Sequence, residues 1–259
     1  MDVRPDEQLD EISGGLGFEL GPHSVMYGSA VRGRTDYKDS IEDDIDLSTT
    51  LNRDTYTYSG GVRTEISPIT QLTISGGISE DRFESSPLRE SDGAFVDASL
   101  DIGPEATISG VATVGYRNLR PADPLVDPFD GLTASGALTY TILELGRLSG
   151  TFNYGIEYSF DEAEAYYRET TFDLAYTHRL FGEVDAQIRG TQSWFRYGYR
   201  EGVAARTDTL QGVNLSVGYN LRNRTRISIN YEEARRRSPA YLDRNYDRTR
   251  AYVAWMFAF

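Results

Sequence analysis

The sequence predicts an all-β chain: a closed, antiparallel, up-and-down transmembrane β-barrel of about fourteen strands, thirteen of which can be read in its 259 residues. Three observations carry this. Hydrophobic side chains recur at every second position, the period of a strand with two different faces. The alternating segments are each about ten residues or slightly longer, the length a tilted strand needs to cross a bilayer. Tight Gly/Pro turns and longer polar loops alternate between them, as in hairpins strung along the chain.

Composition sets the bounds. The chain holds 18 Tyr, 11 Phe and 25 Gly, with a mean hydropathy of −0.47. No run approaches the roughly 18 apolar residues of a membrane-spanning helix. Barrel strands hide their hydrophobicity by alternation, so a hydrophilic average is compatible with a membrane location. There is no cysteine, which excludes disulfides and thiolate sites. The formal net charge of −14 repels phosphate backbones and excludes nucleic acid as a partner. Met1 to Glu7 has neither a basic nor an apolar region, so it is not a signal peptide. The expectation is an export signal already removed, or a chain that starts late in a longer product. Residues 1–8 are read as a polar tail and 9–259 as one barrel domain.

Taken in order, Leu16, Phe18 and Leu20 form the first apolar row, before the turn at Gly21-Pro22. Val25, Tyr27 and Val31 form the second. Tyr58, Val62 and Ile66 oppose Arg63 and Glu65, and after Ser67-Pro68 the row is Leu72, Ile74 and Ile78. Val96, Ala98, Leu100 and Ile102 lead into Gly103-Pro104. Ala106, Ile108, Ala112, Val114 and Tyr116 follow, then the Pro-rich loop from Arg120 to Asp130. Leu132, Ala134, Leu138, Tyr140 and Ile142 precede the Gly146-Arg147 turn, and Phe152, Tyr154, Ile156 and Tyr158 follow it. Phe172, Leu174 and Tyr176 lead to Phe181-Gly182. Val184, Ala186, Ile188 and Trp194 come next, then Val213 to Leu221, and Ile227, Ile229 and Tyr231. The last row is Ala251, Val253, Trp255, Phe257 and Phe259.

The opposite row is Ser, Thr, Asn, Gly and charges through consecutive strands. It suits a water-filled bore, whereas a soluble barrel turns its apolar row inward. Lipocalin-type barrels also stop at eight strands. In lipid every backbone group needs a partner, so this many lipid-facing strands imply closure. Thirteen conflicts with the even counts of bacterial barrels. The fourteenth strand either lies at 41–51, with Ile45, Leu47 and Leu51 on one face, or precedes Met1. The second is preferred, because the tight turns then share the end where Phe259 stops.

The final strand resembles the closing strand of bacterial outer-membrane proteins, which ends in Phe after alternating apolar residues. With the two-faced strands over 9–259, and with Arg34-x-x-Tyr37 and Asp81-Arg82-Phe83 leading into polar loops, the chain resembles the porin-like outer-membrane β-barrels of Gram-negative bacteria (putative β-barrel porin, type 2). The resemblance implies an outer-membrane location and a pore-like role, and carries over no functional residue. Its implied partners are membrane lipid, lipopolysaccharide and the barrel-assembly machinery, with Phe259, Phe257 and Trp255 as the assembly signal. A lipid-facing row around the whole cylinder favours a monomer.

Enzymatic activity is not expected. The two histidines, His23 in a turn and His178 before Arg179-Leu180, fit no nucleophile–base pattern. No cofactor or metal is expected either. Asp36, Asp39, Glu42, Asp43, Asp44 and Asp46 are hard-cation donors by chemistry, but they lack EF-hand spacing and read as a solvated acidic loop. Charge is segregated between this loop and the arginines of the C-terminal hairpin. Arg226, Arg248, Arg250, Arg189, Glu157 and Asp173 are expected to line the lumen and set ion preference. The acidic loop is expected to bend toward the Arg wall and narrow the mouth; the alternative is that these arginines bind lipopolysaccharide phosphates or solvent. The expected activity is passive diffusion of small hydrophilic solutes. A non-conducting scaffold or the barrel of a polysaccharide exporter is the alternative.

Overall fold

The computed structural model describes residues 6–38, 41–42, 45–143, 145–161, 164–221 and 225–257. The strands are β1 (Asp6–Gly21), β2 (Ser24–Lys38), β3 (Ile41–Glu42), β4 (Ile45–Asp46), β5 (Arg53–Ser67), β6 (Thr70–Phe83), β7 (Ser91–Ile102) and β8 (Ile108–Pro121). They continue with β9 (Phe129–Ile142), β10 (Gly146–Tyr158), β11 (Tyr166–Phe181), β12 (Val184–Tyr197), β13 (Arg206–Leu221), β14 (Thr225–Arg237) and β15 (Tyr246–Phe257). A short helix, α1 (Leu47–Leu51), precedes β5.

All strands but β3 and β4 form one 13-stranded sheet in chain order. Neighbours are antiparallel throughout, as in the β13–β14 ladder from Thr209↔Arg237 to Leu221↔Thr225. The odd count has a geometric consequence. β1 and β15 are the two edges, and both run from the long-loop end of the sheet to the tight-turn end. They could pair with each other only as a parallel ladder.

The period of two sorts the side chains. On β13, Val213, Leu215, Val217, Tyr219 and Leu221 share one face, opposite in register to Ile227, Ile229 and Tyr231 of β14. Asn214, Ser216 and Asn220 share the other. The sheet curls toward that polar face. Tyr158, the last residue of β10, departs from the apolar row of Phe152 expected for it and donates a 2.7 Å hydrogen bond to Asp81 of β6, four strands away in the sheet order. At about 4.8 Å per strand a flat sheet would hold β6 and β10 about 19 Å apart, beyond the reach of two side chains. The Arg53 guanidinium of β5 also lies 5.1 Å from the Tyr158 ring. The apolar row is therefore convex: Ile229 is 68% exposed, and the Phe152 ring packs against that of its strand neighbour Phe172, ring centroids 4.7 Å apart.

Close approach fixes one glycine. Gly110 of β8 has φ +126°, and a Cβ there would lie 2.0 Å from the Ala137 carbonyl oxygen, so both backbone and space require glycine.

Three expectations need correction. Segment 41–51 contributes no strand to the large sheet. Ile41–Glu42 pairs only with Ile45–Asp46, and 47–51 is the helix α1, whose Leu47, Thr50 and Leu51 are buried; Asp46 caps it, accepting from the Ser48 N–H. On β2 the lipid-side row is not Val25, Tyr27 and Val31. Those residues stand opposite Arg63, Gly61 and Thr57, on the polar face, while Met26 and Ala30 stand opposite Val62 and Tyr58. The two rows of β2 differ little in hydrophobicity, so its neighbours decide the register. Finally β1 begins at Asp6, so residues 6–8 belong to the sheet.

Candidate functional site: the polar face of the curled sheet

The polar face is a set of cross-strand pairs, because facing residues two apart on neighbouring strands sit within side-chain reach. Arg189 donates to Asp173 at 2.7 Å, and the Thr191 hydroxyl donates to the same carboxylate at 2.6 Å. Arg226 grips Asp185 at 2.6 and 3.2 Å and reaches Ser216 at 3.2 Å. Arg248 pairs with Glu232 at 2.9 Å. Arg250 stands opposite Glu232 in register and is exposed on the same face. The predicted lumen arginines are thus together on one face, and three are neutralised by carboxylates of their own neighbourhood.

Glu157 behaves differently. It is exposed, yet the charges acting most strongly on it are Glu169, Arg53, Arg117 and Glu7, from four other strands. Tyr37 of β2 is likewise near enough to act on Tyr167 of β11, and Glu157 on Tyr37. Side chains from β1, β2 and β5 therefore face those of β10 and β11 across the concavity. Next to them lies a pocket of about 330 Å³ lined by Ser79, Phe95, Asp97, Arg117, Asn153 and Glu157 among others.

Two of the acidic-loop residues, Asp36 and Asp46, have local partners among the described residues. Asp36 accepts from Arg34 at 2.9 Å. The Ser48 hydroxyl and N–H, bonding to Asp46, hold its carboxyl below the usual carboxylate range. Asp39, Asp43, Asp44 and the Glu42 side chain lie outside the described residues, as does Phe259. Phe257 closes β15 opposite Thr225, and Trp255 projects from the convex face, 76% exposed. His23 neighbours Glu65 at 3.3 Å and His178 neighbours the Tyr176 hydroxyl at 3.1 Å.

Sequence reasoning missed a charge cluster at the long-loop end. Arg206 of β13 is buried between Glu164 at 3.2 Å, Asp161 at 3.5 Å and Asp208 at 3.8 Å. Its guanidinium lies 3.9 Å from the Tyr197 ring and 4.7 Å from that of Tyr241. Arg236 reaches Asp208 at 3.9 Å, and Arg244 reaches Asp161 at 3.4 Å. Desolvation moves the Glu164 carboxyl up from its ordinary value, against the pull of the Gly198 N–H and Arg206. Loops add to this knot: Arg89 donates to the carbonyls of Ser159 and Asp161, Arg200 pairs with Asp123 at 2.9 Å, and Tyr166 donates to the Asp127 carbonyl at 2.8 Å. A small apolar core of Leu119, Val126, Phe129, Ala165 and Tyr166 seals the same end. The i, i+2 pair Arg206/Asp208 was visible in the sequence as one strand face. Its partners arrive from loops distant in the chain and left no local signal.

The convex face decides what kind of protein this is. Exposed Leu, Ile, Val, Tyr and Phe come from strand after strand, from Ile12, Leu16 and Phe18 of β1 to Val253 and Trp255 of β15. Soluble monomers rarely expose an apolar patch above a few hundred Å², and this one is a continuous belt. The family described as Putative beta-barrel porin 2 matches residues 3–259. The chain belongs to this family. Membership and the all-β, up-and-down sheet place this porin-family chain among membrane β-barrels and point to a non-enzymatic protein. No curated protein matches it.

Proposed function

We propose that this porin-family chain forms the wall of an outer-membrane barrel of a Gram-negative bacterium and passes small hydrophilic solutes passively through its polar interior. The observation that carries the reading is the height of the convex belt. On β13 it runs from Val213 to Leu221, about 27 Å along the strand at 3.4 Å per residue, or about 20 Å along the axis of a barrel whose strands tilt by about 40°. With side-chain girth that approaches the apolar band of about 25 Å found in outer-membrane barrels. Beyond it the same face turns polar, through Gln211 and Thr209 on β13 and Glu233, Arg235 and Arg237 on β14. Ion pairs such as Arg237–Asp247 at 2.7 Å mark that edge. The concave face offers hydroxyls, amides and paired charges to water. Since β1 and β15 run the same way, one strand between them gives the even, fully antiparallel cylinder that lipid demands.

The knot of loops at one end favours a second reading, a barrel that does not conduct at rest and serves as a scaffold. Reconstitution separates the two. Protein refolded in detergent and showing a heat-modifiable gel shift is placed in liposomes, and swelling is followed in isotonic sugars of graded size. Swelling that declines with solute size supports the channel. Absence of swelling with every sugar, from protein that is folded and inserted, supports the scaffold.

A further inference from the structure

At the tight-turn end of the polar face, Arg147 of β10 and Arg179 of β11 form no ion pair with a carboxylate among the described residues. Thr177 lies directly opposite Arg147 in register, and Arg179 is two residues further along the same strand. The two guanidinium-bearing positions are therefore diagonal neighbours on one face, roughly 7–8 Å apart at the backbone. Like charges so placed repel, and neither has an ion pair among the described residues. Arg189, Arg226 and Arg248 of the same face each have one. The carboxylate nearest in register to Arg179 is Asp185, and it is already committed. Its Oδ1 accepts from Arg226 at 2.6 Å, and its Oδ2 accepts from Arg226 at 3.2 Å and Asn220 at 2.7 Å.

Two hydroxyls flank Arg147, and the one carboxylate among the residues lining the pocket, Asp185, is held by Arg226 and Asn220. Thr141 flanks Arg147 on the other side in register, with its hydroxyl unengaged. The Thr177 hydroxyl accepts from Gln187 at 2.9 Å, which leaves its own proton to give. These residues line a pocket of about 260 Å³ with Gly146, Asp185 and Asn220. Two planar guanidiniums and two hydroxyl donors match the acceptor-only oxygens of a phosphate or sulfate group. The chain as a whole carries −14, so a non-specific attraction for anions is not expected of it. The position on the concave side also separates the pocket from any lipid headgroup on the convex side.

We propose that Arg147, Arg179, Thr141 and Thr177 form a binding site for a tetrahedral oxyanion, borne by a soluble phosphorylated or sulfated solute or by the free ion. The site needs only the polar face and does not depend on whether the barrel conducts.

The test uses the full chain folded in detergent and titrated with inorganic phosphate, sulfate and acetate, read by calorimetry and by phosphorus NMR line width. Saturable phosphate and sulfate binding is expected, with acetate weaker. Arg147→Gln together with Arg179→Gln should weaken phosphate binding at least about tenfold, the loss of charged hydrogen bonds worth about 1.5–3 kcal/mol each. Arg120→Gln removes the same charge from an exposed position outside the pocket and should leave binding unchanged. Folding of each variant is checked by the gel shift, and the single variants Arg147→Gln and Arg179→Gln stand in should the double variant not fold. Absence of saturable binding overturns the site, as does binding that folded Arg147 and Arg179 variants retain. An equal loss in Arg120→Gln overturns it too, because general charge would then be the cause.

Discussion

Placing an arginine on the convex face at different heights measures what solvent that face meets. Val217 is the midpoint of the five apolar positions of β13 and is 54% exposed. Gln211 lies on the same strand and the same face, six residues toward the long-loop end. In water, a charge at either exposed position changes stability by no more than about 0.5 kcal/mol. In a bilayer Val217→Arg costs about 2–4 kcal/mol near the midplane, while Gln211→Arg, beyond the belt, costs about 0–1 kcal/mol. The difference of about 2–3 kcal/mol is a factor of about 30 to 160 in the folding equilibrium. The assay is reversible folding into lipid vesicles, followed by denaturant titration for both variants and the parent. Equal shifts for the two substitutions would show that the convex belt does not sit in hydrocarbon, and the membrane reading would fall with it.

Other outcomes follow from the concave face and the loop knot. Arg206→Gln leaves Glu164 buried without its cation and Asp208 with Arg236 at 3.9 Å, and breaking a buried pair costs about 3–5 kcal/mol; faster trypsin cleavage at the long-loop end should report it, and unchanged cleavage would refute the role of Arg206 in the knot. Glu164 has a raised pKa, so its protonated form favours the folded knot. That contribution is complete below the ordinary carboxylate value and is lost as pH climbs through the raised one. Protease resistance of the loops should therefore decline with rising pH above about 4.3, and Glu164→Gln should flatten the profile; a profile that Glu164→Gln leaves unaltered contradicts the assignment. Reversing Arg226, Arg248 and Arg250 to Glu should shift the reversal potential of reconstituted channels toward cations. Arg226→Glu, set against Asp185, should also cost about 1–3 kcal/mol of stability, whereas an unmoved reversal potential would remove these arginines from the ion path.

The strand pattern was legible wherever the two rows of a strand differ strongly. β13, with Val213, Leu215, Val217, Tyr219 and Leu221 against Asn214, Ser216 and Asn220, can lie only one way round, because a shift of one residue exchanges the faces. β2 offers no such contrast. Val25, Tyr27 and Val31 compete with Met26, Gly28 and Ala30, and the sequence points to the row with more hydrophobic bulk. Pairing with β5 overrides it: Ser29 meets Ser59 through a 2.7 Å hydroxyl contact, and that fixes every odd residue of β2 to the polar face. Segment 41–51 misled for a related reason. Leu47 and Leu51 are four apart, a spacing that suits a helical turn as well as one strand face, and the Asp46 cap settles it as helix.

The charged residues were legible as a set and illegible as pairs. Arg226, Arg189, Asp173 and Glu157 all fall on the face that alternation assigns them. Opposite signs on neighbouring strands, though, find each other before they find anything across the bore. Arg226 with Asp185 and Arg248 with Glu232 therefore present hydrogen-bonded dipoles, and the charge of these two arginines is largely balanced within the wall. What stays uncancelled is set by register, which the sequence does not spell out: Arg147 falls opposite Thr141 and Thr177 and has no ion pair among the described residues. The ionic character of this polar face thus depends less on how many arginines it carries than on which of them the ladders leave without a carboxylate.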